Sequence, residues 1–205
     1  MYVDGEIIKE AEARFGIPKD ISLQFEIDDR ELAIVRGSRK NQRSHDITMF
    51  IFLDGRGNGN VRTKDARLAV IRKRSFPPGA YRAPSGGLKP GEPLEAGAMR
   101  EAHEETGLEV ELERYLVRIH ATFTHGNEIE KWVSHVFSAR VVGGDLEPID
   151  TDEIEGATFV NLRELQGPIR DILLGSKRGL LAYRVALTDF TVKTLVENGD
   201  IDLGD

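Results

Sequence analysis

Five glutamates, Glu92, Glu95, Glu101, Glu104 and Glu105, crowd around one arginine, Arg100, in the 23 residues Gly86–Leu108, GGLKPGEPLEAGAMREAHEETGL. Glu101, Glu104 and Glu105 stand at i, i+3 and i+4, so a helix would gather their carboxylates. Like charges at i, i+4 cost about 0.2–0.5 kcal/mol even when exposed, and more when partly buried without neutralisation. The arrangement makes sense if a doubly positive ion sits among them, because clustered carboxylates are hard oxygen ligands that suit Mg²⁺ or Mn²⁺. Gly86 and Gly87, ahead of the acidic run, allow backbone to approach a ligand closely. Without metal, Glu101 and Glu105 are expected to repel each other, so that removing the Glu105 charge should raise the melting temperature of the metal-free protein.

A helix positions these acids. Pro90-Gly91 ends a turn, Pro93 suits a first helical turn, and Leu94–Glu105 is rich in good helix formers. Gly107 is a natural stop. At about 100° per residue Leu94, Ala98, Glu101 and Glu105 share one face, so the apolar stripe turns acidic in its last turns. Around this helix the hydrophobic pattern predicts a short helix over Asp4–Phe15, a strand over Ile21–Ile27, a helix over Asp28–Arg36 and a polar, basic linker or loop over Gly37–Asp46. Strands follow at Ile47–Leu53 and Ala66–Arg72, with a flexible hairpin turn over the glycine-rich Asp54–Asn60. Ser75–Pro84 reads as an irregular loop. Val110–Phe123 and Ile129–Val142 are long strands turning at His125-Gly126-Asn127. Asp150–Glu155 is an acidic loop, Ala157–Asn161 a short strand, and helix begins at Leu162–Leu165 and again over Lys177–Val196. Residues 1–45 are expected to form an N-terminal extension, 46–165 the main domain, and 166–205 a helical extension packing on its core.

The stretch Gly86–Leu108 resembles the signature box of the Nudix hydrolases, G-x5-E-x7-R-E-U-x-E-E-x-G-U, with U a bulky aliphatic residue. Gly86, Glu92, Arg100, Glu101, Glu104, Glu105, Gly107 and Leu108 fill it in one register, and Ala102 is a small substitute at the first aliphatic position. The resemblance implies an α/β (α+β) fold, a mixed β-sheet sandwiched between helices. It also implies hydrolysis of a pyrophosphate bond in a nucleoside diphosphate linked to another moiety, through metal-activated water. By the same resemblance Glu101, Glu104 and Glu105 hold Mg²⁺ (or Mn²⁺) together with the Gly86 carbonyl. Arg100 pairs with Glu92 to hold the loop on the helix. The general base is a box glutamate or an acid on a distant loop, for which Glu153 is chosen. A non-catalytic metabolite-binding regulator or an interaction module is the alternative reading.

Arg72, Arg74 and Arg82 are candidates to meet phosphate. Phe76, Tyr81, Phe123 and Trp132 could stack on a nucleobase, although each also reads as a core or hairpin residue. No role falls to the five histidines, and His103-Glu104 does not extend to H-E-x-x-H because position 107 is glycine. The net charge of −7 argues against bulk attraction to nucleic acid or anionic membrane. The absence of cysteine rules out a thiol nucleophile and disulfides. No apolar run approaches a membrane span, and Met1–Gly5 does not read as the start of a signal peptide. These points lead to the expectation of a cytoplasmic enzyme whose partner is a small-molecule nucleotide, with no nucleic acid and no membrane; a homodimer is compatible with it. Neither the proline after the box that marks many ADP-ribose-cleaving members nor the tyrosine of many dinucleoside polyphosphate hydrolases is present, and Leu68–Ser75 does not match the coenzyme A pyrophosphatase pattern.

Overall fold

The computed structural model describes residues 3–41, 43–53 and 61–204. Asp4 accepts from the Glu6 and Ile7 amides and starts α1 (Gly5–Phe15). β1 (Lys19–Glu26) follows, then α2 (Asp29–Lys40). A reciprocal capping box starts α2: Asp28 accepts from the Glu31 amide and Glu31 from the Asp28 amide. β2 (His45–Phe52), β3 (Arg62–Thr63), β4 (Arg67–Lys73) and β5 (Ser85–Gly87) lead to α3 (Leu94–Thr106). Next come the long hairpin of β6 (Glu109–His125) and β7 (Glu128–Gly143), and β8 (Ile154–Asn161). After β8 stand α4 (Leu162–Glu164), a π turn over Leu165–Ile169, α5 (Arg170–Gly175), α6 (Gly179–Glu197) and β9 (Ile201–Asp202).

One mixed sheet runs in the order β1-β6-β7-β2-β4-β8, with β5 also paired to β2. The β1–β6 and β7–β2 pairs are parallel and the others antiparallel. The pleat of the interior strand β2 sends successive side chains to opposite faces. Ile47, Met49 and Ile51 pack with Ala11 of α1 and with Leu94, Ala98 and Ala102 of α3. Phe50 and Phe52 belong to a second core with Val35 of α2, Leu173 of α5, and Leu181 and Leu187 of α6. The sheet is thus sandwiched between two helical layers, which is why β2 is buried along almost its whole length and runs uninterruptedly apolar from Met49 to Phe52.

Several boundaries differ from those read in the sequence. The expected linker over Gly37–Asp46 is helical to Lys40, and β2 begins at His45. Gly37 costs about 1 kcal/mol in a helix interior, but Arg36 and Arg39 flank it and pair with Glu128 and Glu130 of β7, which holds the last turns down. β8 starts at Ile154, inside the expected acidic loop, because Ile154 is buried and its strand pairs with β4. β1 pairs with β6 from Lys19 to Glu26, so the segment before residue 46 supplies an edge of the same sheet. The expected turn over Asp54–Asn60 lies outside the described residues. No helix among the described residues is long and apolar enough to cross a membrane.

The N-terminus of α6 has no side-chain cap of its own. Glu31 of α2 supplies it from across the fold, accepting from the Gly179 amide at 2.9 Å and the Leu180 amide at 3.0 Å while itself only 2% exposed. A carboxylate is favoured there by the orphan amides and the helix dipole. Glu31→Ala would leave those amides and the nearby Arg178 guanidinium without their acceptor. It is expected to lower stability by about 2 kcal/mol, measured by urea unfolding.

Candidate active site

α3 delivers its acids to three different environments. Glu105, the most buried, accepts from the Ser85 amide at 2.7 Å and from Arg82 Nη2 at 3.2 Å. Arg82 is itself buried, and its other terminal nitrogen donates to the Ala83 carbonyl and Ser85 Oγ, both at 2.8 Å. Glu101 is also largely buried, its carboxylate lying against Gly86: a methyl group on Gly86 would meet the Glu101 carboxyl carbon at 1.8 Å. Glu104 is the most open of the three, with its side chain 46% exposed. Gly107 stops the helix in a left-handed conformation (φ 77°), and a side chain there would collide with the Glu147 carbonyl at 2.3 Å.

Arg100 holds this end of the helix to the loop before it. Its Nε and Nη2 donate to the two oxygens of Glu92 at 2.8 and 2.9 Å, and Nη2 also reaches the Gly87 carbonyl at 3.1 Å. Its Nη1 stands between Glu101 (2.6 Å) and Glu104 (3.0 Å). Burial pushes the Glu101 carboxyl upward; Arg100 opposes this, and the neighbouring Glu105 and Glu104 charges add to it. Burial acts in the same sense on Glu92, but its hydrogen bonds from Arg100 and the Lys89 amide outweigh it and hold that carboxyl below its ordinary value.

The expected strain in the metal-free helix is therefore corrected. Glu101 and Glu105 do repel, but Arg82 and the Ser85 amide neutralise Glu105 from outside the helix, so its charge is held rather than unsupported.

The acidic loop is brought to the same place. The Ile149 and Asp150 amides donate to the Glu104 carbonyl at 3.1 and 2.9 Å, using an orphan acceptor at the end of α3. Arg74 donates to the Thr151 carbonyl, and its amide to the Glu153 carbonyl. Glu153 lies 2.5 Å from Lys73, which holds its carboxyl below the ordinary value.

These groups line one cavity of about 840 Å³. Of the box residues, Gly86, Arg100, Glu101, Glu104 and Glu105 face it, as does Glu153, while Glu92 does not. Among the phosphate candidates Arg74 and Arg82 line it; Arg72 is not among the lining residues and pairs with Glu155 at 2.5 Å. Phe76, Phe123 and Trp132 line it and Tyr81 does not. Sequence reasoning missed Arg43 and Arg184. Arg43 packs against Gly87, and Arg184 donates to Asp46 at 3.1 Å. Their positions depend on α2 and α6 folding back onto the box, which no local spacing announces. The histidines stay outside the cavity: buried His135 is stacked on His45 and bonded to the Tyr115 hydroxyl, while His120 and His125 contact Asp20 and Asp29.

The donor chemistry fits a divalent cation. Glu101 and Glu104 already share one positive group, Arg100 Nη1, and both oxygens of Glu105 keep a second lone pair. Among the described residues no three acid or histidine side chains are arranged around a single point as they stand, and Glu101 and Glu104 are engaged by Arg100.

The NUDIX domain description matches residues 56–178. Two curated relatives align with part of the chain. The NAD-capped RNA hydrolase NudC of Chromobacterium violaceum is 35% identical over 100 residues, which cover 49% of this chain and 35% of that protein. The NAD-capped RNA hydrolase NudC of Stutzerimonas stutzeri is 29% identical over 103 residues, covering 50% and 35%. The chain thus spans about a third of the length of these relatives. A solved NUDIX hydrolase from Nitrosomonas europaea aligns with a TM-score of 0.50 at 20% identity, covering 74% of this chain and 90% of that one; the likeness bears on the fold.

The Arg82–Glu105 pair reverses the stability expectation for Glu105→Gln. Removing one charge leaves a buried guanidinium without its carboxylate. In chelator the variant is expected to be less stable than wild type by about 3 kcal/mol, read from urea unfolding.

Proposed function

The chain belongs to the NUDIX family, and from that premise we propose that it is a cytoplasmic pyrophosphohydrolase that cleaves a nucleoside diphosphate linked to another moiety. The observation that carries this is the meeting, in one cavity, of the box acids Glu101, Glu104 and Glu105 with the cationic side chains of Arg43, Arg74, Arg82 and Arg184. Carboxylates supply sites for hard cations, and guanidinium groups supply donors for phosphate oxygens.

In this reading Glu101, Glu104 and Glu105, with the Gly86 carbonyl, hold Mg²⁺ or Mn²⁺. Such an ion, when bound, neutralises charge at the pyrophosphate and acidifies a water. The protein's own groups do the rest. Arg100 and Glu92 keep the loop on the helix, so that Gly86 and Glu101 stay in contact. Arg74 and Arg43, which line the same cavity, offer donors to the phosphates. Glu153 accepts the proton of the attacking water, and the Lys73 ammonium keeps it ionised for that task. The chain's curated relatives act on NAD-capped RNA; NAD and its nucleotide fragments are accordingly the first compounds to assay.

The test is a substrate panel of NAD, ADP-ribose and nucleotide sugars in Mg²⁺ or Mn²⁺, scored for phosphate release with and without added phosphatase. Hydrolysis of at least one compound, abolished by chelator, is expected. Absence of turnover across the panel would remove the hydrolytic reading. Gly86→Ala is the sharper variant: its backbone accepts alanine, but the new methyl displaces the Glu101 carboxyl. It is expected to fold normally by circular dichroism and to lose about a hundredfold in kcat, the cost of misplacing a ligand by an ångström.

The Lys73–Glu153 pair gives a pH signature. A base works when ionised, so its pKa sets the acid limb of the kcat/KM profile. Lys73 lowers that pKa. Lys73→Met should raise it and move the acid limb to higher pH. Glu153→Gln should lower kcat with metal affinity unchanged. An acid limb in Lys73→Met identical to wild type would take the base away from Glu153.

A further inference from the structure

We propose that the part of the cavity lined by α2, α6 and β7 is a slot for the nucleobase of the substrate, walled by Ile34, Phe76, Trp132 and Leu180. The proposal rests on the reading that the substrate is a nucleoside diphosphate derivative, and it names where the base of that substrate sits.

Volume is the first ground. A cavity of about 840 Å³ lies at the upper end of small-molecule sites. A pyrophosphate with its cation needs a small fraction of that, so the remainder holds what the pyrophosphate carries.

The character of the wall is the second. Ile34 of α2 lines the cavity and is 54% exposed, so its side chain is open to a ligand there. Phe76, Trp132 and Leu180 are only partly buried against the core beneath. The neighbouring aromatics Phe25, Phe123 and Tyr183 pair with one another. Phe76 and Trp132 have no aromatic partner among the described residues, and the Trp132 indole N–H has no protein acceptor among them. Arg178 stands 5.7 Å from the Phe76 ring centre, so a guanidinium borders the aromatic wall. Phe76 thus carries a guanidinium on one face and, among the described residues, no aromatic ring on the other, and with Trp132 it forms a surface on which flat, electron-rich rings stack.

Continuity is the third. The slot and the box acids belong to the same cavity, so one ligand can reach both. Ile34 and Leu180 both lie outside the matched segment 56–178. The wall is therefore partly built by segments that flank the family domain.

Trp132 is the chain's single tryptophan, so its emission reports on the slot alone. Full-length wild-type protein is titrated with AMP, ribose 5-phosphate and inorganic pyrophosphate in chelator. AMP is expected to change the Trp132 emission saturably; the other two are not. Phe76→Ala should weaken AMP by about tenfold, as loss of one stacking face does. Ile34→Ala, at an exposed position that does not threaten folding, should weaken it severalfold. The slot is overturned if ribose 5-phosphate perturbs Trp132 as AMP does, or if Ile34→Ala binds AMP as wild type does. Because no metal is present, the outcome is independent of turnover. AMP binding at Trp132 in a protein inert across the substrate panel would overturn hydrolysis and keep the slot. Turnover without AMP binding would overturn the slot and keep hydrolysis.

Discussion

Two arginines allow α3 to concentrate carboxylates at its C-terminal end. Arg100 and Arg82 approach from different sides and divide the acids between them: Arg100 takes Glu92, Glu101 and Glu104, and Arg82 takes Glu105. Without these partners the buried members would carry a desolvation cost of several kcal/mol each. The pairing also fixes the backbone. Arg100 holds the Gly87 carbonyl, Glu105 holds the Ser85 amide, and Gly86 between them abuts the Glu101 carboxyl. Three consecutive residues of β5 are thereby set against one helix end, while β5 pairs antiparallel with Asp46–Thr48 of β2.

The floor of the cavity obeys the same rule of local neutrality. Burial and the nearby Arg184 charge weigh on the buried Arg82 guanidinium, while Asp46 outweighs burial at Arg184 and holds it charged. Each has its own carboxylate, Glu105 for Arg82 and Asp46 for Arg184. Asp46 is further satisfied by the Ser134 hydroxyl, which also bonds the Tyr183 hydroxyl. Burial pushes the Tyr183 phenol upward, so it remains a neutral hydrogen-bonding group and adds no third charge. The chain Tyr183–Ser134–Asp46–Arg184 spans α6, β7 and β2 and pins the outer helical layer to the sheet beneath the site. A polar network of this kind is stable only when every member is satisfied.

What the sequence made legible was local. The helix of the box, its stop at Gly107 and the clustering of Glu101, Glu104 and Glu105 follow from spacing within a few residues. The long β6–β7 hairpin follows from its alternation and the turn at Gly126. The misses were long-range. Glu105 meets Arg82 23 residues earlier, across β5 and most of α3, so repulsion judged inside the helix alone left out the partner that reverses the stability expected of a Glu105 variant. Gly37 suggested a linker because the Glu128 and Glu130 partners of Arg36 and Arg39 lie on a distant strand. β3 and β9 are two residues long and pair with each other from opposite parts of the sequence, leaving no periodic signal to read. The arginines Arg43 and Arg184 reach the cavity for the same non-local reason.

The two helical layers divide the work of the cavity. The acids come from α3, whose apolar face packs with Ile47, Met49 and Ile51 on one side of the sheet. Ile34 and Leu180 come from α2 and α6, which pack on the other side with Phe50 and Phe52. Glu31 makes α2 and α6 a single unit, since the carboxylate that closes the capping box of α2 also caps α6. Ile34 lies three residues beyond Glu31, and Leu180 is one of the residues whose amide it receives. Such a layout sets the charge balance of the box on the α3 side of the sheet, and the apolar wall of the cavity on the side of α2 and α6.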